Sequence, residues 1–356
     1  MNYEQSAKAQ TERLMADGHA TILAIESSCD ETAAAIVRDG RQVISSVISS
    51  QIPLHAMYGG VVPEIASRAH VESVNPVVDE ALKKAGMTLS DVDAVAVTYG
   101  PGLVGALLTG VNCMKGLSYT SRIPLVPVNH IEGHVSANFL TTPDLEPPFL
   151  CLVVSGGHSH IVAVEDYTTY KVLGKTRDDA AGEALDKAGR TLGLPYPGGI
   201  SIDKIAPTGD ENAFAFPHPR LDTPYDFSFS GLKTAVINTV HRMEQKGETL
   251  PVADLAASFQ KGVTDCLVEK LEKAATDYGY TSIALAGGVS ANSRLRRETD
   301  RLCRQKGWQL HLPALKYCGD NGAMVGAQGY YEYVSGVRAQ PDLNAYATMP
   351  IDRPTF

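Results

Sequence analysis

Residues Thr21 to Val37 read TILAIESSCDETAAAIV: two apolar runs joined by the small and polar residues Ser27, Ser28, Cys29, Asp30 and Glu31. Short apolar runs bounded by such a turn are the mark of a β-hairpin. Working outward, Arg41 to Ser49 continues as a third strand through Val43 and Val47. After the Gly59-Gly60 break, Pro63 to Lys84 carries helical spacing, with Ile65, Ala69, Val78 and Leu82 among its apolar positions. Then come a strand at Ala94 to Val97, a glycine turn at Gly100-Pro101-Gly102, a helix from Leu103 to Tyr119 and a strand at Pro124 to Val128.

The second half repeats this order. Phe149 to Val154 and His160 to Val164 form another hairpin around Ser155-Gly156-Gly157-His158, and a long helix runs from Val252 to Tyr278. A strand at Ser282 to Ala286 passes through Gly287-Gly288 into a helix from Ala291 to Lys306. A strand at Trp308 to Leu312 leads through CGDNG, Cys318 to Gly322, into a last helix, Ala323 to Tyr333. Repetition on this scale predicts a duplicated α/β protein. If the halves face each other, the loops after equivalent strands meet in one cleft holding ligand and metal. The predicted division is an extension over 1–20, a first lobe over 21–148, a second over 149–322, and a C-terminal helix and tail over 323–356 that packs back on the lobes.

The chain's 356 residues, 44% hydrophobic and 20% charged, give room for two soluble domains with substantial cores. No run of 18 or more apolar residues suggests a membrane span. Met1 to Ala20 lacks the basic-then-apolar order of a signal peptide and reads as a frayed extension. The six cysteines are scattered with no CxxC pair, which argues against a zinc ribbon or a disulfide framework and points to a reducing cytoplasm. A net charge of −9 repels phosphate, so a nucleic-acid partner has to be held by a local basic patch or by additional proteins. Arg294, Arg297, Arg301 and Arg304 recur at spacings of three and four and offer one such patch; a solvated face balanced by Glu298 and Asp300 is the alternative.

The candidate chemistry starts at NHIEGH, Asn129 to His134. On a helix, His130 and His134 share one face with Cβ atoms roughly 5–6 Å apart, close enough to share a metal ion. The pair follows a strand, at the end of an open α/β sheet where ligands collect. Asp320 occupies the equivalent place in the second half. Two imidazoles and one carboxylate leave coordination positions open, as a catalytic metal site requires. The competing readings are a chance HxxxH on the surface and a helix N-cap for Asp320.

LVVSGGH, Leu152 to His158, has backbone amides able to wrap an anion, or is simply a tight type II′ turn. LAGGVSAN, Leu285 to Asn292, places a helix N-terminus and missing side chains beside a ligand, or merely allows close packing. There is no GxxxxGK[ST], so this is not a P-loop protein. Asp186 and Asp203, near the Gly198-Gly199 break, suit the hydroxyls of a ribose, or are solvated helix residues.

Together AIESSCDETAAAI, NHIEGH, VVSGGH, DDAAGEALDK, YPGG, FSFSGLKTA, AGGVSAN and CGDNGAM closely resemble the TsaD family, in order, from about Ile22 to Tyr331. The resemblance implies two duplicated lobes of the actin-like (ASKHA) superfamily. It implies transfer of a threonylcarbamoyl group from threonylcarbamoyl-AMP to N6 of adenosine 37 in tRNAs reading codons that begin with A, with release of AMP. It implies that His130, His134 and Asp320 hold one divalent metal, iron or zinc. Val153, Val154, Ser155, Gly156 and Gly157 are expected to line the adenylate, Asp186, Gly199 and Asp203 its ribose region, and Asn292 the adenine end. ATP, ADP or AMP are expected to fit the same cleft. Expected partners are tRNA, a paralogous actin-like subunit (TsaB type) and a small P-loop ATPase (TsaE type), with no membrane.

His158 is the expected general base, with a metal-bound water as rival. The competing functions are a metallopeptidase, prompted by histidines four apart, a kinase of the same superfamily, and a non-catalytic partner. Peptidases of this kind use HExxH, whereas in HIEGH the glutamate is turned about 200° from His130 around the helix.

Overall fold

A computed structural model describes residues 19–217 and 221–352. Ten strands and ten helices are described. The strands are β1 Thr21–Glu26, β2 Glu31–Arg38, β3 Gln42–Ser50, β4 Ala94–Gly100, β5 Leu125–Asn129, β6 Phe149–Val154, β7 Ser159–Asp166, β8 Thr169–Lys175, β9 Ser282–Ala286 and β10 Gln309–His311. The helices are α1 Ile52–Ala56, α2 Pro63–Ala85, α3 Val104–Ser121, α4 His130–Ser136, α5 Ala181–Thr191, α6 Gly198–Ile205, α7 Ser230–Gln245, α8 Val252–Tyr278, α9 Ser293–Lys306 and α10 Gly322–Val334.

The duplication is explicit in the topology. One sheet has the order β3-β2-β1-β4-β5 and the other, read in the same sense, β8-β7-β6-β9-β10. In each, the first strand pairs antiparallel with the second and parallel with the fourth: Ile22 faces Val37 and Ala94, and Leu150 faces Ala163 and Ile283. Strand β8 has no counterpart among the sequence expectations. Its seven residues include Gly174, whose missing side chain admits the Tyr225 backbone, and they lack a sustained apolar run.

The chain divides into two compact units, one comprising residues up to Pro147, Glu165–Tyr170 and the chain from Pro313 onward, the other Pro148–Val164 and Lys171–Leu312. The predicted boundary at 322 therefore falls elsewhere: the stretch carrying Asp320 belongs to the first unit. The reason is α10. Its glycines at 322, 326 and 329 lie on the sheet, where added Cβ atoms would stand 2.7 Å from the Ala34 carbonyl carbon, 2.6 Å from a Val37 methyl and 2.6 Å from the Ala96 Cβ. Residues spaced by four and three share a helix face, so the missing side chains let the α10 backbone rest directly on β2 and β4.

The core of the first unit follows from the period of two along β1. Leu23 and Ile25 join the cluster beneath α2 and α3, with Val74, Val78, Val111 and Met114, while Ile22 and Ala24 join the cluster beneath α10, with Ala323, Met324 and Val325. A strand covered on both faces reads as a continuous apolar run, which is why TILAI was legible. Fully burying each of its large aliphatic side chains contributes about 1.5–3 kcal/mol. Of the expected extension over 1–20, residues 1–18 lie outside the described residues, whereas Ala20 is buried and its N–H donates to Asp39 Oδ1 at 2.8 Å.

The second unit is built on one large cluster around Leu150, Leu152, Phe227, Phe229, Phe259 and Leu285. The long helix and β9 fall where the sequence predicts. Helix α9 begins two residues late, because Gly288–Ala291 forms a 3-10 turn and Asn292 caps the helix by accepting from the Leu295 N–H at 2.9 Å.

Candidate metal centre and nucleotide loops

Strand β5 ends at Asn129, whose side chain accepts from the Ile131 N–H at 2.9 Å and so starts α4 at once. Both histidines are thereby held in the interior, His130 at 6% and His134 at 1% exposure, with ring centroids 4.6 Å apart. They are not surface histidines. At the start of α10 the cap is Asn321, accepting from the Met324 N–H at 2.9 Å, so Asp320 is not spent on capping. Asp320 Oδ1 lies 3.2 Å from His134 Nε2 and 3.6 Å from His130 Nε2, and one donor atom from each of the three residues falls within 4.8 Å of the others. This is a group able to hold a metal ion.

The side chains around it carry a surplus of negative charge. Burial pushes Glu31 up to about 10, and the charges of Asp320 and Asp30 push it the same way. Burial works against charging His130, yet the neighbouring Glu26 and Asp320 carboxylates outweigh it and push the ring up to about 9, a basicity that a cation at Nε2 would draw on in place of the second proton. Burial likewise works to raise Glu26, and the neighbouring His130 overcomes it and keeps that carboxyl below its usual range. His134 Nε2 lies beside Asp320 Oδ1, yet neither of its buried ring nitrogens makes a hydrogen bond of acceptable geometry. A buried unpaired imidazole is costly. A cation between it and the carboxylate would satisfy both, so the residues fit a metal.

Glu132, the glutamate a peptidase would need, is buried and hydrogen-bonds Glu332 of α10. Burial and the neighbouring Glu332 charge keep it protonated well above the usual carboxyl range, which makes it unfit to activate water.

In the second unit, Val153 and Val154 end β6 and Ser155 begins a closed turn, its N–H donating to the His158 carbonyl at 2.8 Å while the His158 N–H donates to Ser155 Oγ at 3.1 Å. Neither Gly156 nor Gly157 has a positive φ, which excludes the type II′ turn expected as the alternative. Nothing lies within 4 Å of where their Cβ atoms would be. Neither backbone conformation nor packing requires these glycines; their missing side chains leave open space beside the backbone. The N-terminus of α5 backs the turn, with the Gly182 N–H on the Ser155 carbonyl at 3.2 Å. Gly287, at φ 85°, presses on the Val154 backbone.

Asp186 Oδ1 accepts from the Gly199 N–H at 2.9 Å. Asp203 accepts from the Ser293 N–H at 3.1 Å, the Ser293 hydroxyl at 2.8 Å and Gln260 Nε2 at 2.5 Å, which ties α6 to the start of α9 beside Asn292. Neither is a merely solvated helix residue, and Asp203 is more committed to the protein than a free ribose ligand would be. His158 stacks on His160 at 5.7 Å. The arginine face expected on α9 is not an open basic patch. Arg294 is buried, at 6% exposure, and paired with Glu211 and Asp265, Arg297 and Arg301 pair with Glu298, and Arg304 pairs with Asp300. No helix among the described residues is long and apolar enough to cross a membrane.

Sequence reasoning missed Glu26, Thr98, Ser28, Ser293 and Gln260. One signal was available for Glu26: a carboxylate closing a strand whose other residues are all core formers.

The family described as TsaD, tRNA N6-adenosine threonylcarbamoyltransferase, matches residues 42–327. The chain belongs to the TsaD family. Proteins named tRNA N6-adenosine threonylcarbamoyltransferase from Clostridium botulinum and Caldicellulosiruptor saccharolyticus are 54% and 53% identical to it, over 93% and 91% of this chain and 97% and 96% of theirs. Among solved structures, T. kodakarensis HypF aligns with a TM-score of 0.61 at 13% identity, over 89% of this chain and 48% of that one. Component A of Acidaminococcus fermentans (R)-2-hydroxyglutaryl-CoA dehydratase aligns at 0.51 and 14%, over 88% of this chain and 99% of that one. At such identities the likeness shows the fold alone, the actin-like fold that the TsaD resemblance implies.

Proposed function

We propose that this TsaD-family chain transfers a threonylcarbamoyl group from threonylcarbamoyl-AMP to N6 of adenosine 37 in tRNAs reading codons that begin with A, and that His130, His134 and Asp320 hold the one divalent metal, iron or zinc, that the reaction uses. Identity above one half across nearly the whole length of named transferases supports the reaction. The single observation that carries the metal is His134, fully interior with both ring nitrogens unsatisfied beside a carboxylate.

The exocyclic amine of adenine is a weak nucleophile, because its lone pair is delocalised into the ring. Rate then comes from activating the acyl donor and positioning the amine. A divalent ion at the three donors supplies Lewis acidity toward a carbonyl or phosphate oxygen. The Gly156 and Gly157 amides hold the phosphate as negative charge grows on the departing AMP, and the bare glycines let it reach the backbone. Val153 and Val154 flank it. Gly199 and the carboxylates of Asp186 and Asp203 take the ribose region, and Asn292 meets the adenine with its amide nitrogen, since its oxygen is the α9 cap. His158, next to the phosphate turn, accepts the proton from N6.

Adenosine 37 has to leave its stack for N6 to react. With the α9 arginines engaged by carboxylates, additional basic surface comes from partners, a TsaB-type paralogue and a TsaE-type ATPase, in the cytoplasm. The test supplies unmodified tRNA and synthetic threonylcarbamoyl-AMP, with and without the partners, and looks for the modified nucleoside by mass spectrometry. Its appearance together with AMP is expected, and its absence from every mixture overturns the reading. A His158→Ala variant that keeps the full rate under saturating substrate removes the base assignment alone.

A further inference from the structure

We propose that Glu26 is the positioning residue of the histidine pair: its carboxylate accepts a hydrogen bond from His130 Nδ1–H and so leaves the Nε2 lone pair facing His134 and Asp320. This rests on the metal reading above and adds to it the residue that fixes the ring.

Glu26 is 0% exposed, at the end of a strand whose every residue is buried. A carboxylate there persists only if its oxygens are satisfied. Oε1 accepts from the Ser28 N–H at 2.5 Å, and Oε2 accepts from the Thr98 hydroxyl at 2.6 Å and from His130 Nδ1 at 3.0 Å. Ser28 Oγ stands 3.1 Å from the same ring nitrogen. These groups sit at the carboxyl ends of β1, β4 and β5, adjacent parallel strands whose register pairs Ile25 with Val97 and Thr98 with Val128. The sheet itself therefore sets where the carboxylate lies. Among the described residues, the ring that hydrogen-bonds Glu26 belongs to a donor of the cluster. A carboxylate on the far nitrogen of a ligating histidine fixes its tautomer and raises its basicity, and removing such a partner typically lowers metal affinity 10–100-fold.

Glu26→Gln keeps the shape but offers one oxygen where two are needed. If that oxygen faces Ser28, the amide nitrogen meets His130 Nδ1 and drives the proton to Nε2. If it faces His130, two N–H groups oppose each other at Ser28. Zinc affinity of the purified full chain, measured by competition with a chelating dye, is expected to fall 10–100-fold in Glu26→Gln and to collapse in His134→Ala. Equal affinity in folded Glu26→Gln and the parent overturns the proposal while leaving the metal reading intact. A parent chain that binds no more zinc than His134→Ala overturns both.

Should Glu26→Gln fail to fold, nitrogen-15 NMR of the zinc-loaded parent decides the matter. A protonated, exchange-protected Nδ1 on His130 is expected, and an unprotonated Nδ1 overturns the assignment. A merely structural role for Glu26 would not fix that tautomer.

Discussion

Gly322→Ala tests how Asp320 reaches the histidines. The added Cβ would stand 2.7 Å from the Ala34 carbonyl carbon and the Ala35 nitrogen and 2.9 Å from the Ala34 Cα, all backbone of β2, an interior strand that cannot rotate aside. Overpacking of this kind costs about 1–3 kcal/mol. Alanine's better helix propensity returns at most about 1 kcal/mol, and less at the first position of a helix. The net expectation is a loss of about 1–2 kcal/mol. Gly116→Ala in α3 supplies the contrast: nothing lies within 4 Å of its Cβ position, so the same change should gain about 0.5–1 kcal/mol.

The two variants should thus differ in urea midpoint with opposite signs. Because Asp320 is two residues from Gly322, lifting the start of α10 should also weaken zinc binding, which Gly116→Ala should leave alone. Gly322→Ala that is as stable as the parent and binds zinc equally well would refute the claim that bare glycine contacts seat this helix.

Three further expectations follow from particular side chains. Burial lifts Glu332 from 4.5 to about 7, so between those values the unfolded chain releases a proton that the folded chain keeps. Stability from this group is full below the unfolded value, falls by up to about 1.4 kcal/mol per pH unit through that window, and is lost above it; Glu332→Gln should flatten the pH dependence of the unfolding free energy. Arg294→Ala, removing a buried guanidinium hydrogen-bonded to Thr264 and paired with the partly exposed Glu211 and Asp265, should cost about 1.5–3 kcal/mol, against less than about 0.5 kcal/mol for exposed Arg304→Ala, as read by chemical unfolding. Gly157→Ala should leave thermal stability unchanged, since its Cβ meets nothing, and raise the KM for threonylcarbamoyl-AMP at least about tenfold by blocking approach to the backbone; a variant with unaltered KM would move the phosphate elsewhere.

Periodicity carried the fold where it was strong. The all-buried β1, the long α8 and β9 stood out because doubly covered strands and amphipathic helices leave unmistakable patterns. Short β8 and α1 left none. The histidine pair was legible because a helix fixes the relation of residues four apart, whereas the position of Asp320 depended on which sheet α10 packs against. That was written only in the spacing of Gly322, Gly326 and Gly329. The α9 arginines mislead for a related reason: spacing shows that they share a helix, not that Glu211 and Asp265 reach across from elsewhere to bury one of them. Asp203 is similar, since its partners Gln260 and Ser293 are far along the chain.

The central claim is that three donors within one unit hold a single divalent ion. An anomalous-difference map from crystals of the chain grown with zinc, collected at the zinc absorption edge, tests it most directly. One peak about 2.0–2.2 Å from His130 Nε2, His134 Nε2 and an Asp320 oxygen is expected. Density at other side chains, with none between those imidazoles and that carboxylate, would contradict it.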